Sequence, residues 1–366
     1  MTRGFSIYLD LVRFVAAVVV LLSHFGYPRF SDGRWLWVRE LNLGSDAVVL
    51  FFVLSGLVIA HVAETKSGGL QRFTFDRATR LVSVALPVLL LGFVLDRFGA
   101  GFAPEGYSVT YYNEVPFWYQ MLRGLSFSNE WAVLPVRLGS NGPYWSLSYE
   151  AAYYAFFAVA FYLRGVRRIG LLMMGCAIVG APILFLMPAW LLGVLLYRGL
   201  QRRQALPRSV ALLCAALPLV FYPVALWQNL PAQFYSWTAN IDAALSLRFS
   251  NEFLWNNILA VFVCVHLYGM ASLLRDSSFG KVARLIKWAA GGSFSLYLVH
   301  YPVMQFLAVF NVWPSFAPLY DLVFVGVTLM VCYLFAAIFE RPLPYFREIL
   351  TGRFPSFRQL ATNRAR

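Results

Sequence analysis

The chain has 366 residues, of which 60% are hydrophobic and 13% charged, and its mean hydropathy is +0.64. This composition excludes a soluble enzyme of that length and predicts an all-α, polytopic integral membrane protein. The net charge of +13 does not indicate a nucleic-acid partner, because the basic residues fall in short loops on one side of the predicted membrane. The four cysteines lie in apolar stretches without metal-ligand spacing, so we expect neither a disulfide framework nor a metal site.

The apolar segments predict about ten membrane spans. They cover residues 5–26, 43–64, 80–98, 143–164, 168–186, 187–200, 208–227, 253–275, 290–311 and 318–339. Pro188 separates the fifth span from the sixth, which is short and is either a half-helix or one arm of a tight hairpin. We therefore expect residues 1–342 to form one ten-helix domain and residues 343–366 a short basic tail.

The distribution of basic residues predicts the orientation. Most of the 30 lysines and arginines fall in alternate loops and at the two ends of the chain. Cytoplasmic loops of membrane proteins carry an excess of Lys and Arg, so both termini and the tail are expected in the cytoplasm. The basic loops then need no further partner to explain them.

The first span carries three ionisable side chains, Asp10, Arg13 and His24. Arg13 and His24 are eleven residues apart, which places both on one helix face about 16 Å apart. A charge in hydrocarbon costs at least about 2.5 kcal/mol, so such residues usually face a bundle interior or a polar cavity. Three structural explanations stay open: an Asp10–Arg13 ion pair, a snorkelling Arg13, and an interfacial His24.

The fourth span brings an acid to the predicted depth of His24. This span runs inward, and Glu150 lies about seven residues below its outer end, on the same face as Ser146. A carboxylate beside an imidazole orients it and raises its basicity, as a general base for a hydroxyl requires. Asp46, at the outer start of the second span, is an alternative partner for His24, and Glu150 is otherwise a helix-start acid.

Arg77 and Arg80 mark the predicted cytoplasmic side of the third span. Their spacing of three places both on one face, and such a fork suits phosphate oxygens, although a topology anchor explains the pair equally well. His300, before Pro302, either lines the cavity or hydrogen-bonds a neighbouring helix. The residues expected to line or support the cavity are Asp10, Asp46, Ser55, Tyr144, Trp145, Ser146, Ser148 and His300.

Two long outer loops, residues 99–142 and 228–252, are rich in aromatic residues. Aromatic faces beside amide and acid groups suit sugar rings, but an interfacial aromatic belt explains the same composition. The loops therefore leave a carbohydrate acceptor open without requiring it.

Five motifs in order resemble the acyltransferase-3 family, the membrane O-acyltransferases of bacterial surface glycans. The resemblance covers residues 8–342. The motifs are Arg13-x10-His24, FFVLSG at 51–56, Arg77-x2-Arg80, WSLSYE at 145–150 and SLYLVHYP at 295–302. Each motif is short, and the resemblance depends on all five occurring together.

The resemblance implies a ten-helix domain of the bacterial cytoplasmic (inner) membrane. It moves an acyl group, commonly acetyl, from cytoplasmic acyl-CoA to an outer glycan hydroxyl, and it holds no permanent cofactor. His24 matches the family's essential histidine and Arg13 its partner in the motif. Arg77 and Arg80 match the coenzyme A-associated pair, and Glu150 matches the acid of WSLS-x-E.

Acceptors in this family include exopolysaccharide and lipopolysaccharide, lipid-linked saccharides, peptidoglycan, Nod-type oligosaccharides and macrolides. Some members carry a fused extracytoplasmic hydrolase-like domain, for which this chain has no room after its last predicted span. We therefore expect it to act alone or with separate polysaccharide-assembly proteins.

Two other functions compete with acyl transfer. An intramembrane Arg, His and acid would serve a proton-coupled transporter or exporter of a sugar-like metabolite equally well. A catalytically silent scaffold would tolerate substitution of His24 and Glu150. For acyl transfer itself, direct attack and a two-step route through an acyl-histidine use the same residues.

Overall fold

The computed structural model describes residues 1–66, 68–108, 110–132, 134–202, 206–310 and 316–353. Helices account for most of this part of the chain, and the only β-type pairing in it is two isolated bridges. Arg203 of a predicted basic loop and residues 354–366 of the predicted tail lie outside the described residues.

The α-helices number sixteen in these residues. They are α1 (Arg3–Phe25), α2 (Pro28–Ser31), α3 (Leu36–Glu40), α4 (Leu43–Thr65), α5 (Gly69–Phe102), α6 (Phe117–Leu125), α7 (Trp145–Tyr162), α8 (Gly165–Val179), α9 (Ala181–Arg202), α10 (Arg208–Trp227), α11 (Leu230–Leu245), α12 (Phe253–Leu273), α13 (Val282–Ala290), α14 (Ser293–Leu307), α15 (Ala317–Phe335) and α16 (Leu343–Arg353). Three 3₁₀ turns (Pro104–Tyr107, Gly142–Tyr144, Arg248–Ser250) and one π-helical segment (Ala336–Glu340) complete them.

Seven helices of the described residues are long and apolar enough to cross a membrane: α1, α4, α5, α9, α10, α12 and the helical run Ala317–Gly352. The other three predicted spans correspond to α7, α8 and α14, which have 18, 15 and 15 residues. The prediction of an all-α polytopic membrane protein is confirmed. The number of spans and the cytoplasmic position of both termini stay predictions.

The boundary predicted at Pro188 is wrong. The break lies at Gly180, which has a positive φ of +79° and separates α8 from α9. Glycine adopts that conformation without a Cβ penalty, so it ends the helix there. Pro188 lies inside α9, and apolar membrane helices tolerate such prolines because neighbouring groups satisfy the freed backbone.

Three other segments differ from their predicted form. Helix α5 has 34 residues and is about 51 Å long, which exceeds the hydrocarbon thickness of about 30 Å. It begins at Gly69, before the predicted third span, so Arg77 and Arg80 lie inside the helix and not at its start. The predicted loop 228–252 contains the 16-residue helix α11. The first part of the predicted tail forms α16.

The chain divides into two compact units. The first comprises Met1–Ala16, Ser45–Lys66 and Gly170–Ala290, and the second the remaining residues. In the first unit, α12 packs against α9 and α10. Helices α4 and α9 approach closely, because a Cβ at Gly56 would lie 2.0 Å from the Trp190 carbonyl oxygen and one at Gly193 would lie 2.0 Å from that of Val53. Gly56 and Gly193 thus permit the close approach of the two helices.

Helix α14 is the centre of the second unit. It packs against α5 and α15, and α5 also contacts α6, α7 and α16. The exposed fraction of His300, at the middle of α14, is 0%. A buried helix can keep polar side chains only where neighbouring elements supply hydrogen-bond partners, and the polar residues of α14 define the site below.

Candidate functional site

His24 forms a hydrogen bond with a second histidine. Its Nδ1 lies 2.9 Å from Nε2 of His300, and the centroids of the two rings are 5.1 Å apart. His24 is half-buried, whereas His300 is completely buried. His24 is therefore the member of the pair that a substrate can reach, and His300 lies behind it.

The hydrogen bonds determine which nitrogens carry protons. Nδ1 of His300 lies 2.8 Å from the Leu296 carbonyl oxygen, which can only accept, so this nitrogen is the donor. In a neutral imidazole the other nitrogen then accepts, and Nδ1–H of His24 must donate to it. The remaining nitrogen of His24, Nε2, keeps its lone pair and is the basic atom of the pair.

Aromatic rings and two arginines surround His24. Tyr301 packs edge-on against its imidazole at 5.0 Å, and Tyr27 stacks at 6.2 Å between ring centroids. Arg29 and Arg39 lie close enough for their charges to act on the imidazole. We call the set His24, His300, Tyr27, Arg29, Arg39 and Tyr301 the His24 cluster.

The chain reversal after α1 positions these arginines. Pro28, with its fixed φ, begins the short helix α2 that carries Arg29. Gly26 allows the backbone of Trp35 to pack against the end of α1, because a Cβ there would lie 2.5 Å from the Trp35 carbonyl oxygen. The compact turn thus brings both short helices, α2 and α3, back beside His24.

Helix α14 links this cluster to a second charged region. Near its start, the backbone N–H of Ser295 donates to Oε2 of Glu340 over 2.8 Å, and Glu340 interacts with the charge of Arg80. Near its end, Gln305 accepts a hydrogen bond from Arg29 over 3.1 Å. His300 is five residues, or about 7.5 Å, from each. Arg80 and Arg29 therefore act at opposite ends of α14, with the histidine pair between them.

A buried carboxylate organises the beginning of α5. Asp76 pairs with Arg72 at 3.3 Å and with Arg347 of α16 at 3.6 Å. Arg347 also donates to Oγ1 of Thr79 over 2.8 Å and to the Asp76 carbonyl oxygen over 2.6 Å. We call Arg72, Asp76, Thr79 and Arg347 the Asp76 cluster.

Arg77 lies within electrostatic range of Glu150. Arg77 follows Asp76 on α5, and its charge interacts with that of Glu150 on α7. Glu150 accepts a hydrogen bond from the Tyr154 hydroxyl. The hydrogen-bond partner of the His24 imidazole is His300, whereas we had expected Glu150 or Asp46. A catalytic role for Glu150 stays a prediction.

The residues predicted on α1 and α4 of the first unit have partners there. Arg13 pairs with Asp10 at 3.6 Å. Asp46 accepts hydrogen bonds from the Tyr222 hydroxyl and from Nε1 of Trp255, each at 2.7 Å. Ser55 accepts from Nε1 of Trp190 over 3.1 Å, consistent with a packing role.

The predicted residues around the start of α7 are held by hydrogen bonds within the second unit. Tyr144 donates to the Gly124 carbonyl oxygen over 3.0 Å, and Ser146 to that of Pro143 over 3.2 Å. Ser148 donates to Oδ1 of Asn129 over 2.6 Å. Trp145 packs edge-on against a neighbouring tyrosine ring. In the described ranges, no three or more His, Cys, Asp or Glu side chains are grouped to hold a metal ion.

Sequence reasoning missed most of the His24 cluster and Arg347. Tyr27 and Arg29 follow His24 within five residues, and Tyr301 follows His300 directly, so proximity to a marked histidine was an available signal. The sequence contains no comparable signal for Arg347, because only the packing of α16 on α5 brings this residue to Asp76.

Comparison with known proteins agrees with the motifs. The family described as "Acyltransferase domain" matches residues 6–337. A curated relative, "Acyltransferase MdmB" of Streptomyces mycarofaciens, is 29% identical over 163 residues, which are 43% of this chain and 39% of that protein. The match thus spans well under half the length of that relative. No solved structure matches.

Proposed function

The chain belongs to the acyltransferase-3 family, and from this premise we propose that it moves an acyl group, most simply acetyl, from cytoplasmic acyl-CoA to a hydroxyl of an extracytoplasmic or lipid-linked glycan. It is a multi-pass membrane acyltransferase. The observation that carries the proposed chemistry is the hydrogen-bond chain from the Leu296 carbonyl oxygen through His300 to His24.

His24 is proposed as the general base. Its Nε2 takes the proton of the acceptor hydroxyl as the hydroxyl oxygen attacks the thioester carbonyl carbon. The imidazolium that forms donates Nδ1–H to His300, whose neutral ring both orients His24 and accepts part of the new charge. A hydrogen bond of this kind to a catalytic histidine is the same principle that fixes the imidazole of a Ser-His-Asp triad.

The leaving group then recovers the proton. Collapse of the tetrahedral intermediate breaks the carbon–sulfur bond and leaves an ester, and His24 returns its proton to the coenzyme A thiolate. Atoms and charge balance without a cofactor or metal. In the two-step alternative His24 itself carries the acyl group before the hydroxyl attacks.

Arg77 and Arg80 are proposed to bind the phosphates of the donor. Both lie near the beginning of α5, which is longer than the hydrocarbon thickness. Arg80 acts at the end of α14 opposite Arg29, so a donor held there would reach the histidine pair from one end and an acceptor from the other. Arg13 is proposed as the partner of His24 in the motif on α1, and Glu150 is proposed to hold Arg77.

The proposed location is the bacterial cytoplasmic membrane, where membrane lipid surrounds the protein. Exopolysaccharide and lipopolysaccharide precursors are the proposed acceptor classes, and polysaccharide-assembly proteins are the proposed partners. The family and the apolar helices support the membrane location.

Binding of acetyl-CoA to the purified protein in detergent tests the donor assignment. We expect saturable binding by the wild type and at least about tenfold weaker binding by Arg77→Ala/Arg80→Ala, because each lost hydrogen bond to a charged group is worth about 1.5–3 kcal/mol. The matched control is Arg164→Ala/Arg167→Ala, an exposed pair with the same spacing of three.

The control pair should bind acetyl-CoA as the wild type does. Unchanged affinity in the Arg77→Ala/Arg80→Ala variant would reduce those residues to topology anchors. Failure of the folded wild type to bind any acyl-CoA would overturn the proposed donor.

A further inference from the structure

Other arginines of the second unit are held by carboxylates or, for Arg123 and Arg137, by backbone carbonyl oxygens. Arg34 pairs with Asp321 at 2.5 Å and with Asp32 at 3.0 Å, and Arg97 pairs with Glu114. By contrast, no carboxylate of the described residues lies within 4 Å of Arg29 or Arg39. The two arginines nearest His24 thus keep their positive charge uncompensated.

Arg29 is held rigidly by uncharged groups. Its Nε donates to Gln305 over 3.1 Å and its Nη2 to the Tyr301 hydroxyl over 2.5 Å. Its guanidinium carbon lies 3.9 Å from the Tyr111 ring centroid and 4.3 Å from that of Phe30. These contacts fix its plane, while Nη1 has no hydrogen-bond partner among the residues that the structure describes. A fixed guanidinium with an unused donor edge suits an oxyanion.

Arg39 brings a second positive charge to the same ring. Its guanidinium carbon lies 3.6 Å from the Tyr27 ring centroid, and that of Arg29 lies 4.5 Å from it. Tyr27 also stacks on His24. One aromatic ring therefore contacts both cations and the imidazole, so a ligand bound to the cations would lie in the same cluster as His24.

We propose that Arg29 and Arg39 bind an anionic group of the acceptor, so that the hydroxyl delivered to His24 belongs to a saccharide carrying a carboxylate or a phosphate. This inference rests on the proposed function, since it names the substrate class of the same site. Tyr27 and Tyr111 are half-buried, so both side chains are partly accessible to a ligand bound at the arginines. Two guanidinium groups then fix the direction from which the hydroxyl approaches.

Matched neutral and anionic probes test the proposal on the full chain in phosphatidylcholine nanodiscs at constant ionic strength. Thermal stabilisation, followed by tryptophan fluorescence, is measured against methyl glucoside, methyl glucuronide and glucose 1-phosphate. We expect at least one anionic probe to half-saturate at a concentration at least about tenfold below that of the glucoside. Arg29→Gln/Arg39→Gln should lose this preference, and Arg97→Gln should keep it.

A second variant keeps the test decisive if the double variant fails to fold. Arg39→Gln removes a side chain with no recorded hydrogen bond in the described structure and should still reduce the preference about threefold. Equal half-saturation by neutral and anionic probes, no saturable response to either anion, or a preference unchanged in these variants would overturn the proposal.

Two further arms separate the alternatives. If replacing one fifth of the lipid with phosphatidylglycerol abolishes the anion preference, the arginines bind a lipid headgroup and the acceptor assignment is overturned. Acetyl-CoA binding is measured on the same nanodiscs. Donor binding without an anion preference would remove only this inference, whereas an anion preference without donor binding would remove the proposed function.

Discussion

The two arginine clusters of the second unit differ in what faces the positive charge. In the Asp76 cluster a buried carboxylate pairs with Arg72 and Arg347. In the His24 cluster, Arg29 and Arg39 face tyrosine and phenylalanine rings and act on His24. The difference distinguishes a cluster whose positive charge is neutralised within the protein from one that leaves two cations for a ligand.

The same contrast assigns different consequences to substitution. Removing Asp76 leaves Arg72 and Arg347 without their buried carboxylate, which should lower the free energy of unfolding. Removing a residue of the His24 cluster should act on chemistry or binding, with little effect on folding. The predictions below run from the largest expected effect to the smallest.

His24→Ala should lower acetyl transfer by about 10²–10⁴-fold, because Nε2 of His24, the proposed general base, is lost. Transfer is measured as radiolabel passing from acetyl-CoA into the saccharide fraction of membranes from the source organism. Acetyl-CoA binding should be unchanged, which separates lost chemistry from lost folding.

The control for this variant is His61→Gln, another half-buried histidine, which lies in the first unit. It should retain transfer. Normal product from His24→Ala would contradict the assignment of His24 as the base, and the His24 cluster would then have no demonstrated catalytic role.

Asp76→Ala should destabilise the protein by about 3–5 kcal/mol, since it leaves two arginines without their buried carboxylate. The side chain of Asp76 is 2% exposed, so solvent screens little of this effect. We expect the melting temperature in detergent to fall by at least about 6 °C.

The matched control is Glu114→Ala. The Arg97–Glu114 pair is exposed on both sides, and its loss should cost at most about 1 kcal/mol. Equal melting temperatures for the two variants would show that Asp76 does not stabilise the packing of α16 on α5. The structural role assigned to the Asp76 cluster would then be wrong.

Much of the fold was predictable from the sequence because apolar run length is a strong signal in membrane proteins. The seven span-capable helices all coincide with predicted spans. Boundaries were less predictable. Pro188 carries an obvious helix-breaking signal, yet the break lies at Gly180, where a positive φ is adopted. Composition alone does not distinguish a tolerated membrane proline from a terminating one.

The site was predictable in its central residue but not in its partners. His24 was identifiable as a titratable group in an apolar helix. Its pairing with His300 spans 276 residues, and either Glu150 or Asp46 was chemically as reasonable. Similarly, the sequence does not distinguish Arg29 and Arg39 from other loop arginines, because their ring contacts depend on the chain reversal after α1.

His300 provides the smallest and most specific test. His300→Leu removes the acceptor that fixes the His24 tautomer, and we expect kcat to fall about tenfold while the KM for acetyl-CoA stays unchanged. His300→Asn retains an oxygen that can accept from Nδ1–H of His24, so it should recover most of the lost kcat.

A merely structural role for His300 would predict a different order. Leucine fills the completely buried position without an unsatisfied polar group, whereas asparagine would leave its amide to find partners in an apolar surrounding. Leucine should then be the better-tolerated residue, in melting temperature and in activity. Higher kcat for His300→Asn than for His300→Leu, despite equal or lower stability, is therefore the result that assigns His300 to orienting the base.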